Sequence, residues 1–436
     1  MTVSPLKPSS AEESTRPTTS QSVALPWRPI WLLAAPHRLA FFMAALMLTT
    51  SSIWWATVLL TRSLNMSFFL VVPASAAHAL LMSMGFMPFF FAGFLFTAGP
   101  KWLHSKEVAA RRLLPSLLLM LGGWVIAMIG MHTLTLLAAA GLSLVASGWT
   151  VLSVKFFAMV RQSHESDRMH ARMAATACNV GVFTLWLAAA SLAIDSLLIL
   201  RIATQIALWG FIAVMFAVAS HRMIPFFGAS AVPFLGSWRP MWLLWTMLGM
   251  FYLEATLSVA ALRWWPLPNV VQWSQAALEA GFSLLLLALA LRWGLVQSLK
   301  IRLLAMLHGG FVWLGIAFAL NALSHTLIAL TAGELSLGLA PLHAMTMGYL
   351  GATMFAMTTR ISSGHGGRPV AADDIAWILY WILQSAVVLR VIAALWPTAG
   401  EPLTLLAIAA WSAATVGWSV RYSRWFGRAR LDGRPG

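Results

Sequence analysis

Cysteine is almost absent from this chain of 436 residues, with Cys178 standing alone. One thiol excludes a disulfide framework, a four-cysteine zinc site and an all-cysteine iron-sulfur cluster, each of which draws several thiols from one chain. Any metal must rest on histidine, methionine or oxygen. Charge is scarce too, at 9% of residues, and acidic charge especially, with 13 Asp+Glu against 28 Lys+Arg. A soluble domain carries roughly a quarter charged residues, so a water-soluble enzyme with a polar shell is excluded. What fills the chain instead is apolar: 60% hydrophobic and 12% aromatic residues, with a mean hydropathy of +0.80.

The apolar residues come in long runs. A helix needs about 20 residues to cross some 30 Å of hydrocarbon. The pattern predicts an all-α, polytopic integral membrane bundle with about twelve spans. They cover 37–60, 75–99, 112–130, 133–158, 172–197, 202–220, 240–262, 269–292, 303–324, 339–360, 374–396 and 402–422. Residues 1–26, rich in Ser, Thr and Pro, are expected to be a disordered tail without a signal peptide. Residues 27–425 then form one transmembrane domain and 426–436 a basic tail. With twelve spans both termini share a side, and Lys and Arg mark it. Only Arg62, Arg201 and Arg263 fall on the opposite side and Arg390 within a span, out of 28 basic residues. Positive loops stay cytoplasmic, so both termini are expected in the cytoplasm of a bacterial inner membrane. The basic excess is thereby a topology signal, and no nucleic acid partner is expected.

Titratable groups at membrane depth cost several kcal/mol and mark function by default. Glu254 and Glu279 fall near the middle of the seventh and eighth spans, as a proton-carrying pair or a hydrogen-bonded structural pair. Asp195 reaches the headgroups at a helix end. Arg390, about 9 Å from the outer surface at 1.5 Å per residue, either snorkels or meets a buried anion.

Neutral imidazole is a common haem and copper ligand, and His78, His308, His325 and His343 sit where a cofactor is buried. His104, His164, His170 and His132 read as solvated, while His37, His221 and His365 lie at the inner boundary. His78 opens the second span and His343 the tenth, both from the outside, so the two share a depth. His308 enters the ninth span from the inside, roughly 18 Å away in depth, and groups with His221 and His365. On the helical face of His78 follow Met82 and Gly85, and on that of His343 follow Met347 and Gly351; Gly315 is seven residues after His308. Soft sulfurs and absent side chains suit a flat macrocycle, although Met and Gly also serve plain helix packing. Pro88 is expected to kink the second span near Met84.

Five segments carry a resemblance. Gly93-Phe94-Leu95-Phe96-Thr97-Ala98-Gly99-Pro100-Lys101-Trp102 is similar to a GFLLTA-x-P-N-W element. His221-Arg222-Met223-Ile224-Pro225-Phe226-Phe227, Leu307 to Gly315 and Leu342 to Gly348 match in order. Thr358-Thr359-Arg360-Ile361-Ser362-Ser363-Gly364-His365-Gly366-Gly367-Arg368-Pro369 resembles M-T-R-x-x-x-G-H-T-G-R-P. Together they resemble the NnrS family. The resemblance implies an inner-membrane protein with haem and copper, linked to nitric oxide, nitrosative stress and denitrification, and places His78, His308, His343 and His365 on the family's histidine positions. Two departures stand out. His78-Ala79-Leu80-Leu81 replaces a His-Ala-His-Glu run, and Lys101 replaces an Asn, so this member is expected to hold one cofactor if the second needs the missing pair.

Two function classes compete. In the first, haem b is held near the outer surface by His78 and His343, with Arg390 on a propionate, a second metal, copper, near His308 and His365, and nitric oxide as ligand; the redox partner is open. In the second, the chain is a proton-coupled secondary transporter using Glu254 and Glu279. A nitric oxide reductase ranks third, because no span holds the paired histidines of the haem-copper oxidases.

Overall fold

The computed structural model describes residues 26–231 and 236–433; the expected N-terminal tail lies almost wholly outside them. Among the described residues, eleven helices are long and apolar enough to cross a membrane. These are α1 Pro36–Ser63, α2 Ala74–Trp102, α3 Leu114–Thr133, α4 Thr135–Gln162, α5 Met169–Ala193, α6 Leu197–Ser230, α7 Met241–Arg263, α8 Asn269–Arg292, α9 Arg302–Leu330, α11 Asp374–Leu395 and α12 Pro397–Phe426. Between α9 and α11 a further continuous helix, α10, runs over residues 340–365. It is too polar to qualify by composition, because it carries His343 and a succession of threonines, and it lies mostly inside the bundle.

The pairs α1/α2, α3/α4, α4/α5, α8/α9 and α11/α12 pack as antiparallel hairpins, and α12 returns to α1 so that the two ends of the described chain meet. At that junction the Arg28 amide donates to the Gly427 carbonyl, the Arg38 guanidinium donates to the Arg428 carbonyl, and the Leu431 amide donates to Gly366. The basic C-terminal segment is therefore docked on the ends of α1 and α10 as far as residue 433.

Small residues set the tightest crossing, between α3 and α4. A Cβ on Gly123 would lie 2.7 Å from the Gly141 carbonyl oxygen, and one on Gly141 would overlap the Ala127 backbone. Close backbone approach is how membrane helices gain packing energy when lipid is as apolar as the side chains. On the outside, Trp242, Trp245, Trp264, Trp265, Trp381 and Trp396 are exposed, as expected of rings facing lipid and headgroups.

The centre is formed by the helices with the most buried surface. For α2 and α6, 78% of the most apolar stretch is buried, against 33% for α11 and α12. Each of α2, α6 and α10 departs from α-helical winding, with π-helical stretches at Leu81–Gly85, Ala207–Ile212 and Ala344–Gly351. In α2 the wide stretch ends at Phe86, where the α-helix restarts with Pro88 in its first turn. The expected kink is thus an inserted wide turn, which lets the chain absorb a proline that cannot donate its amide.

Candidate functional site

The three π-helical stretches surround one cavity of about 430 Å³, within the usual range for a small-molecule or cofactor site. Met82 and Ser83 of α2, Leu208 and Ile212 of α6, and Thr346, Met347 and Leu350 of α10 line it. π-Helical insertions concentrate at functional sites because they aim side chains off the regular helical face. Three of them on one cavity carry far more weight than one.

His78, His343 and Arg390 all reach this cavity, together with Met82. Each imidazole is oriented by a neighbour. The His343 Nδ1 lies 2.9 Å from the Leu339 carbonyl oxygen. A carbonyl only accepts, so Nδ1 carries the proton and Nε2 keeps its lone pair, which is the tautomer a metal requires. The His78 ring is stacked on Trp55, with centroids 4.0 Å apart at 22°. Its Nδ1 is buried without a hydrogen-bond partner among the described residues, an arrangement that costs about 1–3 kcal/mol. Arg201, read from the sequence as an outer-loop residue, lines the same cavity as Arg390. Trp55, Thr204, Gln205 and Trp411 also escaped sequence reasoning, because nothing in their spacing tells which face of a helix meets a distant one.

The expected glycines have another role. A Cβ on Gly351 would lie 3.2 Å from Trp411, so this glycine admits the indole, and one on Gly85 would meet Ser51 at an ordinary 3.5 Å. Gly315 likewise clears Leu287 of α8, and its carbonyl accepts from Ser283 at 2.8 Å.

These residues fit a haem. Two imidazoles, one with its lone pair fixed and one with an orphaned nitrogen, face a largely apolar cavity. Two guanidiniums match the two propionates such a group carries. A copper centre fits less well. Among the described residues no three His, Cys, Asp or Glu side chains converge as a metal site. His308, 1% exposed, has Ser298 within reach of Nε2, at 3.4 Å. His365 instead lies against His37, ring centroids 4.4 Å apart. It lines a second cavity of about 190 Å³ at the basic end of the bundle, with Lys101 and Arg360. His308 lines neither cavity.

Other histidines are tied down where solvation was expected. His170 is 3% exposed, its Nε2 3.0 Å from the Nδ1 of His221. The fifth span starts at Met169, three residues earlier than the hydropathy boundary, which brings this imidazole inside. His132 accepts from the Trp54 indole at 2.9 Å and donates to the Phe69 carbonyl at 2.8 Å, pinning the loop before α2. His104 pairs with Glu165 at 2.9 Å on the surface.

Glu254 and Glu279 do meet, away from the large cavity. Glu279, fully buried, accepts from Gln275 at 3.1 Å through Oε1 and pairs with His325 at 2.7 Å through Oε2. Glu254, 3% exposed, faces Glu279 while its Oε1 has no partner among the described residues. Asp195 sits in the turn between α5 and α6 with positive φ, exposed at the helix end as expected.

A search of curated proteins returns no match for this chain. A family model described as NnrS protein matches residues 31–430, spanning all twelve helices and both cavities. The chain belongs to the NnrS family.

Proposed function

We propose that the chain is a haem-binding membrane protein of the nitric oxide response, with both termini on the cytoplasmic side of a bacterial inner membrane. The orientation rests on the basic residues, which gather at the end of the bundle where the described chain begins and ends. Haem b fills the large cavity. The observation that carries the reading is the meeting of His78, His343, Arg201 and Arg390 in one chamber walled by three π-helical stretches.

In this reading His343 is the firmer ligand, its ring locked by Leu339, and His78 is held only by stacking on Trp55. Arg201 and Arg390 fix the orientation by pairing with carboxylates, while the apolar walls exclude water and raise the strength of those pairs. When bound, the haem iron would supply affinity for nitric oxide and one-electron chemistry. The copper that the family resemblance implies is not assigned, since His308 and His365 belong to separate environments. Nitric oxide reduction in the manner of the haem-copper oxidases lacks its ligand set for the same reason.

The test is the visible spectrum of detergent-purified protein, oxidised and reduced, with metal analysis. About one iron per chain, a b-type spectrum and a shift on adding nitric oxide support the reading; a colourless protein after expression with haem supplied sinks it. A second reading, proton-coupled transport, rests on the contact of Glu254, Glu279 and His325 inside α7, α8 and α9. Proton-driven uptake in vesicles that Glu254→Gln abolishes would establish it.

A further inference from the structure

The cavity at the basic end takes one face from each of three helices. From α2 come Phe94, Thr97, Ala98 and Lys101, at intervals of three, one and three residues, which place them on one stripe. From α10 come Met357, Arg360, Ile361 and His365, again one stripe, and from α6 Met223 and Phe227, one turn apart. Three helices of different origin thus converge their chemistry on one small chamber of about 190 Å³.

Its charge is of one sign. The charged groups that act on His365 are Lys101, Arg430 and Arg38. Arg430 is already engaged by Asp432 at 2.7 Å, and Arg38 donates to the Arg428 carbonyl at 2.7 Å. Lys101 and Arg360 remain. Among the described residues neither forms an ion pair with a carboxylate. Arg360 is half-buried, with its guanidinium 3.8 Å from the Phe227 ring centroid. A cation drawn out of water needs a counter-charge, and an aromatic face supplies only part of one. A metal cation would add to the repulsion, whereas an anion would relieve it.

We propose that this cavity binds a small inorganic oxyanion between Lys101, Arg360 and His365. The fork of Arg360 suits two oxygens of one anion, Lys101 acts as a point charge, and His365 offers a polar hydrogen at the wall, while the Thr97 hydroxyl lies 3.4 Å from the His37 Nδ1. The phosphate of a lipid headgroup presents the same chemistry as free phosphate, so the source is decided by the experiment. The small cavity shares no lining residue with the large one, so the oxyanion site stands whether or not the large cavity holds haem.

The experiment is calorimetric titration of the full chain in nanodiscs of neutral lipid with inorganic phosphate and nitrate. A single site that Lys101→Gln and Arg360→Gln each weaken at least tenfold, with Arg111→Gln as an exposed control, supports a free anion; the loss of one charge-assisted bond sets that scale. If free anions fail but anionic phospholipid in the disc binds with the same dependence on both residues, the oxyanion site stands with lipid as its source. Arg360→Lys, which keeps the charge but loses the fork, is expected to bind with intermediate strength. Should Arg360→Gln not fold, Lys101→Gln, at an exposed position, carries the test. Absence of both kinds of binding, or binding indifferent to Lys101 and Arg360, overturns the proposal.

Discussion

The Trp55 indole covers the His78 imidazole nearly face to face, 4.0 Å between centroids. With Nδ1 of that imidazole unpartnered, the stack is the orienting contact for the ring. Aromatic pairs contribute about 0.5–1.5 kcal/mol beyond their buried area. Trp55→Ala should therefore lower haem retention roughly three- to tenfold and broaden the spectrum, with Trp55→Phe between the two, measured as haem per chain after purification. Unchanged retention in both variants would remove Trp55 from the site.

The two candidate ligands should not be equivalent. His343 donates its Nδ1 proton to Leu339, and such outer partners are typically worth 10–100-fold in ligand affinity. His343→Ala should strip haem, and His78→Ala should leave a weaker-bound, spectrally altered form. On adding nitric oxide to the intact protein, electron paramagnetic resonance should show His78 displaced first. Equal loss in the two alanine variants would refute this asymmetry.

Arg201 and Arg390 face one chamber without a carboxylate partner among the described residues. Replacing either with Gln removes one charge-assisted bond of about 1.5–3 kcal/mol, and the double variant should lose more than either single one. Haem dissociation rates into a scavenging globin provide the measurement. If neither variant changes the rate, the arginines snorkel and the propionates lie elsewhere.

Stability should be sensitive at His325. Its ring satisfies Oε2 of a fully buried Glu279, and leaving that oxygen unpaired costs about 1–3 kcal/mol. His325→Ala should lower the melting temperature by several degrees, and His325→Gln, which keeps a donor for Oε2, should restore part of the loss. A melting temperature unmoved by His325→Ala would show that water fills the gap.

Helix number was readable in the amino-acid order because crossing hydrocarbon demands length and apolarity whatever the packing. Even the tenth helix, whose histidine and threonines dilute its hydropathy, stood out by position. Lateral arrangement was not readable. Depth alone groups His308 with His221 and His365, yet each has its own partner, Ser298, His170 and His37 respectively. His170 escaped because hydropathy marks where a helix becomes apolar, and α5 begins a turn earlier among polar residues. Pro88 hinted at one distortion in α2, but the wide turns of α6 and α10 have no residue signature. They differ from regular winding by one residue shared out over a turn.

Helix α10 serves both chambers, His343 above its wide stretch at Ala344–Gly351 and Arg360 with His365 below it. A regular helix advances about 100° per residue, so the extra residue acts as a phase setting between its two halves. Shortening the stretch by one position would leave both halves helical yet turn one against the other by roughly that angle. His343 and Arg360 would then no longer face their chambers together, and a change in winding at one chamber would be felt as rotation at the other.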